Sequence, residues 1–256
     1  MILDHPPPPS PLAGRLFERY VRGQARQHFA GVHWAGGERA AGWDPTLPVL
    51  VLANHTNWWD GFLAVLVTGR LGRRFQILME ARNLARYRIF LRVGAVPLHR
   101  DQPRQAYRDL VSAVEYLQRG AALWIFPQGE RRPPAEPLDR LERGAALLAL
   151  RASRPLRICP VAFRYTFVSE QQPEAFVQVG EDWVLEPGSE TDRDGLMRRM
   201  TESLRATIAG LDHLLATERV EGFRSLAPGR LSINKRLDRA RHAVGLLRGP
   251  FEARNG

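Results

Sequence analysis

The sequence predicts an α/β fold with a mostly parallel central sheet flanked by helices, together with an N-terminal amphipathic helix and a basic C-terminal helix. Three observations favour this architecture. Short apolar segments alternate with longer amphipathic ones along the middle of the chain, which is the pattern of parallel strands joined by helical crossovers. The 256 residues suffice for one large domain with a full core. Hydrophobic residues make up 44% of the chain and charged residues 25%, a balance typical of folded proteins rather than disordered ones.

The N-terminal part, residues 1–40, is predicted to hold a proline-rich leader and an amphipathic helix. Prolines fill positions 6–9, and apolar side chains then recur at helical spacing from Leu12 to Ala30. A basic stripe is expected on the opposite face of this helix, formed by Arg15, Arg19, Arg22 and Arg26. Such a helix either lies among the headgroups of an anionic membrane or packs its apolar face on the sheet, and the sequence leaves both interpretations open.

Strands and helices then alternate along the chain. Gly36 and Gly37 favour a turn, and we expect a hairpin there. The predicted strands that follow are 49–53, 75–79, 95–98, 122–126, 158–163 and 176–179. The predicted helices are 58–68, 84–92, 104–119, 138–151 and 192–215. Residues 41–220 are assigned to this central domain, and residues 221–256 to a basic extension with a last helix over 232–247.

The formal net charge of +10 favours anionic partners. Arginine carries almost all of the positive charge, because Lys235 is the only lysine. Phosphorylated ligands, anionic membrane surfaces and nucleic acid all fit this charge. The arginines are scattered, however, and no RNA-recognition motif or zinc finger is present, so we expect no nucleic-acid partner.

Cysteine content and hydrophobic patterning indicate the cellular compartment in which the protein is expected. Cys159 is the only cysteine, which excludes an intramolecular disulfide and a cysteine-rich zinc site, and we expect it to be a small core residue. No apolar segment approaches the ~20 residues needed to cross a bilayer. The N-terminus also lacks the pattern of a secretory signal peptide. A cytoplasmic protein is therefore expected.

The first candidate site follows the strand 49–53, at the edge where open α/β sheets bind ligands. His55 and Asp60 lie about 140° apart on a continuous helix and cannot share a face there. If His55 lies in the turn and Asp60 in the first helical turn, the carboxylate can orient the imidazole as a general base. Asn57 and Asp60 also fit a capping box, in which Asp60 only serves the helix N-terminus. The sequence alone does not choose between these roles.

Two further segments place polar residues at strand ends. Gly94 opens a strand that ends in His99 and Arg100. After the next strand, Gly129 permits close approach of the backbone to a ligand. The arginines nearby suit phosphate oxygens, although charged strand ends are often merely solvated. The fourth segment is a buried-looking strand that contains Pro160, an unusual residue at an internal position.

Taken in order, these four blocks resemble those of the glycerolipid acyltransferase superfamily, whose familiar members are the 1-acylglycerol-3-phosphate (lysophosphatidic acid) acyltransferases. Asn54-His55 to Asp60 matches the HX4D block, and Gly94 to Arg100 is similar to the second block. The stretch from Phe126 to Arg131 looks like the third block, and Ile158 to Val161 looks like the fourth. Three positions depart from the family pattern: His99 replaces Asp or Asn, Gln128 replaces Glu, and Glu130 replaces Thr.

The resemblance implies an acyltransferase domain over 41–220, with His55 as general base and Asp60 as its orienting partner. Predicted substrate-binding residues are Arg100, Gln128, Gly129, Glu130 and Arg131. Predicted supporting residues are Asn54, Asn57, Gly94, Pro127 and Pro160. No cofactor is implied beyond acyl-CoA or acyl-ACP as co-substrate. No metal is implied either, because the residues around His55 form a poor ligand set.

The acceptor implied by the resemblance is a lysophospholipid, above all 1-acylglycerol-3-phosphate. We expect Arg100 and Arg131 to converge at the mouth with His55 and to hold a phosphate monoester. Alternatively, Arg131 pairs with Glu130 or another carboxylate and only shapes the loop, or the arginines hold coenzyme A phosphates while the acceptor is a neutral lipid alcohol or glycolipid. Hydrolysis of the thioester and a non-catalytic lipid-binding role also stay open. Peripheral association with an anionic membrane surface, on the inner face of the membrane, is expected.

Overall fold

The computed structural model describes residues 9–139, 141–168 and 170–230. The predicted C-terminal helix 232–247 lies outside the described residues. The nine strands found within them are β1 Gly31–Ala35, β2 Val49–Ala53, β3 Arg74–Glu80, β4 Ala95–Leu98, β5 Ala121–Ile125, β6 Leu156–Thr166, β7 Glu174–Val179, β8 Trp183–Leu185 and β9 Arg224–Pro228. The helices are α1 Pro11–His28, α2 Asp60–Arg70, α3 Ala81–Arg86, α4 Ile89–Arg92, α5 Pro103–Gln118, α6 Gly144–Leu150 and α7 Arg193–Ala216.

All nine strands belong to one sheet, in the order β4-β3-β5-β2-β6-β7-β1-β9, with β8 added beside β6. The strands from β4 to β6 in this order are all parallel. β7 and β8 run antiparallel to β6, β1 is parallel to β7, and β9 is antiparallel to β1. The predicted mostly parallel α/β architecture is therefore confirmed. Because β2, β4 and β5 are parallel, the residues that follow them meet at one edge of the sheet.

Helices cover both faces of the sheet. α1 and α2 pack on one face, and α5, α6 and α7 pack on the other. β2 shows why both layers are needed, since Val49, Val51 and Ala53 join one core cluster whereas Leu50 and Leu52 join the other. A strand that is apolar at every position is typical of a parallel sheet buried on both faces.

α1 is only partly buried. It begins after Ser10, whose hydroxyl accepts the Ala13 amide hydrogen at 3.3 Å. Val21 and Ala25 are fully buried against the sheet and α2, so one strip of the helix packs on the core. A neighbouring strip, Leu12, Leu16 and Tyr20, is 66%, 60% and 53% exposed. Packing of the apolar face on the sheet therefore holds for one strip of the helix, while the apolar side chains of the other strip are exposed.

Several predicted elements differ from the structure. The hairpin at Gly36 and Gly37 is wrong, because β1 pairs with the distant strands β7 and β9 and leads into a 3-10 helix at Gly37–Gly42. The single helix predicted over 84–92 is two short helices, interrupted around Tyr87. The helix predicted over 138–151 is shortened to α6. The sheet also crosses the proposed boundaries at 40 and 220, since β1 and β9 both belong to it.

Pro160 occupies an internal position of β6, where a proline is unusual. On one side of β6, β8 pairs with Leu156 to Ile158, and β7 pairs from Val161 onward. Pro160 falls in the interval between these two partners, and its carbonyl accepts the Gly180 amide hydrogen at 2.9 Å. The missing amide hydrogen of proline thus costs no ladder bond where the neighbouring strand changes.

Candidate active site

A cavity of about 1670 Å³ opens at the carboxyl edge of the parallel strands. The segments that follow β2, β4 and β5 contribute His55, Arg100 and Arg131 to its lining. The rest of the lining mixes apolar side chains, among them Ile77 from β3 and Phe90 from α4, with charged ones such as Glu80 and Glu142. The structure therefore brings together the three residues that the sequence placed at one mouth.

His55 and Asp60 form a hydrogen-bonded pair. His55 Nδ1 lies 2.8 Å from Asp60 Oδ2, and the Asp60 side chain is fully buried. His55 lies in the turn after β2 and Asp60 is the first residue of α2, the placement required for contact. Since the same carboxylate also accepts backbone amide hydrogens, Nδ1 of the imidazole is its natural donor and Nε2 keeps its lone pair.

Asp60 also serves the helix N-terminus. Its Oδ2 accepts amide hydrogens from Thr56 at 2.7 Å and from Asn57 at 2.9 Å. The Asn57 Oδ1 atom in turn accepts the Trp59 amide hydrogen at 3.2 Å. The two roles weighed for Asp60 are therefore not exclusive, because one buried carboxylate both orients His55 and satisfies the turn before α2.

The loop after β5 holds His55 from both sides of its backbone. Gln128 Oε1 accepts the His55 amide hydrogen at 2.6 Å, and the His55 carbonyl accepts the Arg132 amide hydrogen at 2.8 Å. The Phe126 ring stacks on the imidazole, with centroids 4.4 Å apart and an interplanar angle of 18°. Backbone and ring are thus both fixed by the third sequence block. The buried Gln128 side chain is directed at the His55 backbone.

Asn54 joins β2 to β6 just beyond their pairing. Its side chain is buried, its Oδ1 accepts the Phe163 amide hydrogen at 2.8 Å, and its Nδ2 donates to the Phe163 carbonyl at 3.2 Å. These two hydrogen bonds to the Phe163 backbone replace ladder hydrogen bonds where β2 turns away from the sheet. Asn54 therefore supports the site by fixing the point at which the chain leaves the strand.

The arginines at the mouth differ in their partners. Arg100 donates to the Gly129 carbonyl, and its Nη2 lies 3.8 Å from Glu142 Oε1. Glu130 pairs with Arg132 at 3.2 Å rather than with Arg131, so the alternative in which Arg131 pairs with Glu130 is wrong. Arg131 is exposed, and among the residues that the structure describes it has no ion-pair or hydrogen-bond partner for its side chain.

Glycine is required at two positions of the predicted blocks for different physical reasons. Gly94 has φ +114°, and an added Cβ would lie 2.4 Å from the Phe75 carbonyl oxygen, so it serves the packing of β3 and β4. Gly129 has φ +80°, and its Cβ would lie 2.6 Å from Arg100 Nη2. Two residues before Gly129, the Pro127 carbonyl accepts the Glu142 amide hydrogen at 2.6 Å. Gly129 therefore lets Arg100 approach the loop.

His99 and Tyr165 also form hydrogen bonds to carboxylates. His99 is bound to Asp109, with Nδ1 2.9 Å from Oδ2, so it is engaged with α5. Tyr165, which the sequence analysis missed, donates its hydroxyl to Asp60 Oδ1 at 2.6 Å. No motif marks Tyr165, because its contact depends on how far β6 extends beyond Pro160.

The described residues contain neither a metal-binding cluster nor a helix able to cross a membrane. Within them, no group of three or more histidine, cysteine, aspartate or glutamate side chains is arranged to hold a metal ion. The described helices also include none with the length and apolar character required to cross a membrane.

Residues 39–164 match the family model described as Acyltransferase. A search of curated proteins finds no match. Among solved structures, the fold is similar to the crystal structure of the 1-acyl-sn-glycerophosphate (LPA) acyltransferase PlsC from Thermotoga maritima. The TM-score is 0.58 at 17% sequence identity, over 77% of this chain and 79% of that chain. These findings confirm the resemblance seen in the four sequence blocks.

Proposed function

We propose, from the match of residues 39–164 to the acyltransferase family model, that the protein transfers a fatty acyl group from acyl-CoA or acyl-ACP to the free hydroxyl of a lysophospholipid. The first acceptor to test is 1-acylglycerol-3-phosphate. The observation that carries the proposal is the His55–Asp60 pair, because it places an oriented imidazole on the wall of a cavity large enough for lipid chains.

In the proposed reaction His55 acts as the general base. Its Nε2 takes the proton of the acceptor hydroxyl while the oxygen attacks the thioester carbonyl carbon. Collapse of the tetrahedral intermediate breaks the carbon–sulfur bond, and the departing thiolate receives the proton from the imidazolium. Asp60 keeps Nδ1 protonated and offsets the positive charge that forms on the ring. No acyl-enzyme intermediate is needed.

Arg131 supports a phosphate-bearing acceptor. It is an exposed cation on the cavity wall, without a carboxylate partner in the described part of the chain, whereas Arg100 is already engaged by Gly129 and Glu142. A guanidinium group can bind a phosphate monoester through two charge-assisted hydrogen bonds. The neutral lipid alcohol is the second candidate acceptor, since Glu130 and Glu142 lower the net positive charge of the same wall.

Release of free thiol from acyl-CoA, with and without lysolipid, tests the reaction class. Transfer requires the acceptor, hydrolysis does not, and a non-catalytic lipid-binding module releases no thiol. Lipid mass spectrometry on a panel of hydroxyl acceptors then identifies the product. Release that is independent of every acceptor in the panel contradicts the proposal.

Kinetics of Arg131→Ala test the acceptor. We expect at least about a tenfold rise in KM for 1-acylglycerol-3-phosphate, since charge-assisted bonds contribute about 1.5–3 kcal/mol. Arg219→Ala is the matched control, because Arg219 is exposed and lies outside the cavity lining. A rise confined to the acyl-CoA KM assigns Arg131 to the donor, and the acceptor is then sought among neutral lipids.

We also propose that the protein binds an anionic membrane surface, on the inner face of the membrane, through α1 and the cavity mouth. The exposed strip of α1 is apolar, and Trp58 and Tyr87 at the mouth are 55% and 47% exposed. Phe17 connects these surfaces, since its ring contacts Phe62 beside Trp58 and Phe90 beside Tyr87. An apolar surface beside the site suits delivery of lipid substrates from a bilayer.

Flotation with anionic liposomes tests membrane binding. Deletion of residues 1–30 is unsuitable, because it also removes the buried Val21 and Ala25. Leu16→Glu changes only the exposed strip, and we expect about tenfold weaker binding, since burial of a leucine contributes about 1.5–3 kcal/mol. Val111→Glu, at a partly exposed position of α5, is the control. Equal flotation of both variants and the wild type contradicts the proposal.

A further inference from the structure

We propose that Tyr165 is a positioning residue of the active site, which acts on His55 through Asp60. Its catalytic consequence depends on the proposed acyl transfer, whereas its effect on the His55–Asp60 pair does not. The two oxygens of the buried Asp60 carboxylate accept hydrogen bonds from different donors.

The Asp60 carboxylate is held by four donors. Oδ2 accepts from His55 Nδ1 and from the amides of Thr56 and Asn57, at 2.7–2.9 Å. Oδ1 accepts from the Tyr165 hydroxyl at 2.6 Å, and in the described part of the chain no other donor reaches this oxygen. Tyr165 therefore fixes the half of the carboxylate that the turn before α2 leaves free.

Tyr165 is itself held in place. It lies on β6 and pairs with Ala175 of β7, and its ring stacks on Phe29 with centroids 5.8 Å apart and an interplanar angle of 25°. Burial raises the pKa of the Tyr165 hydroxyl, and the Asp60 carboxylate raises it further, so the group stays protonated as a donor. The strand and the aromatic contact thus define where the hydroxyl points.

Loss of this hydroxyl is expected to loosen the orientation of His55. Oδ1 of a fully buried carboxylate would then lack its partner, and the carboxylate could rotate away from the plane of the imidazole. A weaker bond at Nδ1 lets neutral His55 populate the tautomer that carries its proton on Nε2. That tautomer has no lone pair at the nitrogen that faces the substrate.

Tyr165→Phe removes only the hydroxyl and keeps the ring on Phe29. We expect kcat to fall about tenfold with KM unchanged, as for loss of one hydrogen bond to a charged group. Tyr116→Phe, at a partly buried tyrosine on the opposite face of the sheet, is the matched control and keeps wild-type kcat. In an Asp60→Asn background, Tyr165→Phe has little further effect, because it acts through Asp60.

The tautomer of His55 is measured by ¹⁵N NMR of histidine-labelled protein, which needs no activity. His55→Ala assigns the signal among the seven histidines. We expect the Nδ1–H tautomer in the wild type and a mixture in Tyr165→Phe. The same tautomer ratio in both proteins overturns the inference, whether or not the wild type transfers acyl groups. An equal loss of kcat in both Asp60 backgrounds also overturns it. A wild type that releases no thiol defeats only the proposed function.

Discussion

His55→Ala and Asp60→Asn are expected to differ in stability while both abolish most activity. The difference follows from burial and from the number of partners. The His55 side chain is 23% exposed and the Asp60 side chain is fully buried. His55→Ala removes one partner of the carboxylate and leaves three donors on it. Asp60→Asn places an amide group among the same donors, two of which are backbone amides of the turn.

These contacts set the expected losses of stability and of kcat. Asp60→Asn leaves buried donors without a charged acceptor, which costs about 3 kcal/mol of unfolding free energy. For a domain of this size that corresponds to a Tm lower by about 6–12 °C. His55→Ala costs about 1 kcal/mol, or about 2–4 °C, because it removes a partly exposed ring. Loss of the general base lowers kcat by about 10²–10⁴-fold, and loss of the orienting carboxylate lowers it by up to about 10⁴-fold.

Scanning fluorimetry and acyl-CoA thiol release on the same preparations provide the assay. Near-wild-type activity in His55→Ala refutes the assignment of His55 as the base. An Asp60→Asn protein that melts lower but keeps wild-type kcat shows that Asp60 serves only the turn before α2. An Asp60→Asn protein with the wild-type Tm contradicts the expected loss of about 3 kcal/mol for the buried hydrogen bonds to this carboxylate.

Two other predictions concern a glycine and the cysteine. Gly129→Ala is expected to lower Tm more than Gly188→Ala, because both have positive φ but only at Gly129 does the added Cβ meet Arg100; equal losses in scanning fluorimetry contradict this. Burial raises the pKa of the Cys159 thiol, so it should not react with a disulfide reagent at pH 8 until the protein unfolds. Because the pKa of this thiol is higher in the folded than in the unfolded protein, its contribution to the free energy of unfolding is fully present below the unfolded pKa of about 8.5 and is lost as pH rises above it. In urea unfolding, Cys159→Ala should therefore show a smaller decline of the unfolding free energy above that pH.

The central strands were predictable because their signal is local. β2 and β4 begin and end at the predicted residues, since a short apolar segment between polar turns has few alternatives in an α/β fold. β1, β8 and β9 were not predicted as sheet strands. Each has only three to five residues, and each pairs with strands remote in sequence, so no local pattern marks it.

Helix lengths were less predictable because contacts outside the helix decide them. The apolar spacing of 138–151 continues through Leu138 and Leu141, and both are buried. The chain is nevertheless irregular there, since the Glu142 amide hydrogen is taken by the Pro127 carbonyl at 2.6 Å. A contact with the loop after β5 thus replaces a helical hydrogen bond, and periodicity contains no information about it.

In the candidate site, too, contacts within one segment were predictable and contacts between distant segments were not. His55 and Asp60 lie in one short segment, so their contact could be predicted from a strand, a turn and a helix. The contact between Asp60 and Tyr165 joins residues 105 positions apart and requires the pairing of β2 with β6. The bond from the His55 amide to Gln128 requires a loop conformation that no motif specifies. Sequence therefore indicated the pair His55 and Asp60, whereas the groups that orient this pair depend on contacts between segments distant in the chain.

Redesign of acceptor choice in this protein has to respect the two hydrogen bonds that join the His55 backbone to the loop after β5. Gln128 and Arg132 form these anchors, whereas Glu130 and Arg131 lie between them with exposed side chains. A mutant library restricted to positions 130 and 131 varies the charge of the cavity wall and keeps both backbone anchors of His55, the proposed base. A library that includes position 128 is expected to alter turnover and selectivity together. Selection for a new acceptor should therefore recover changes at these two exposed positions first.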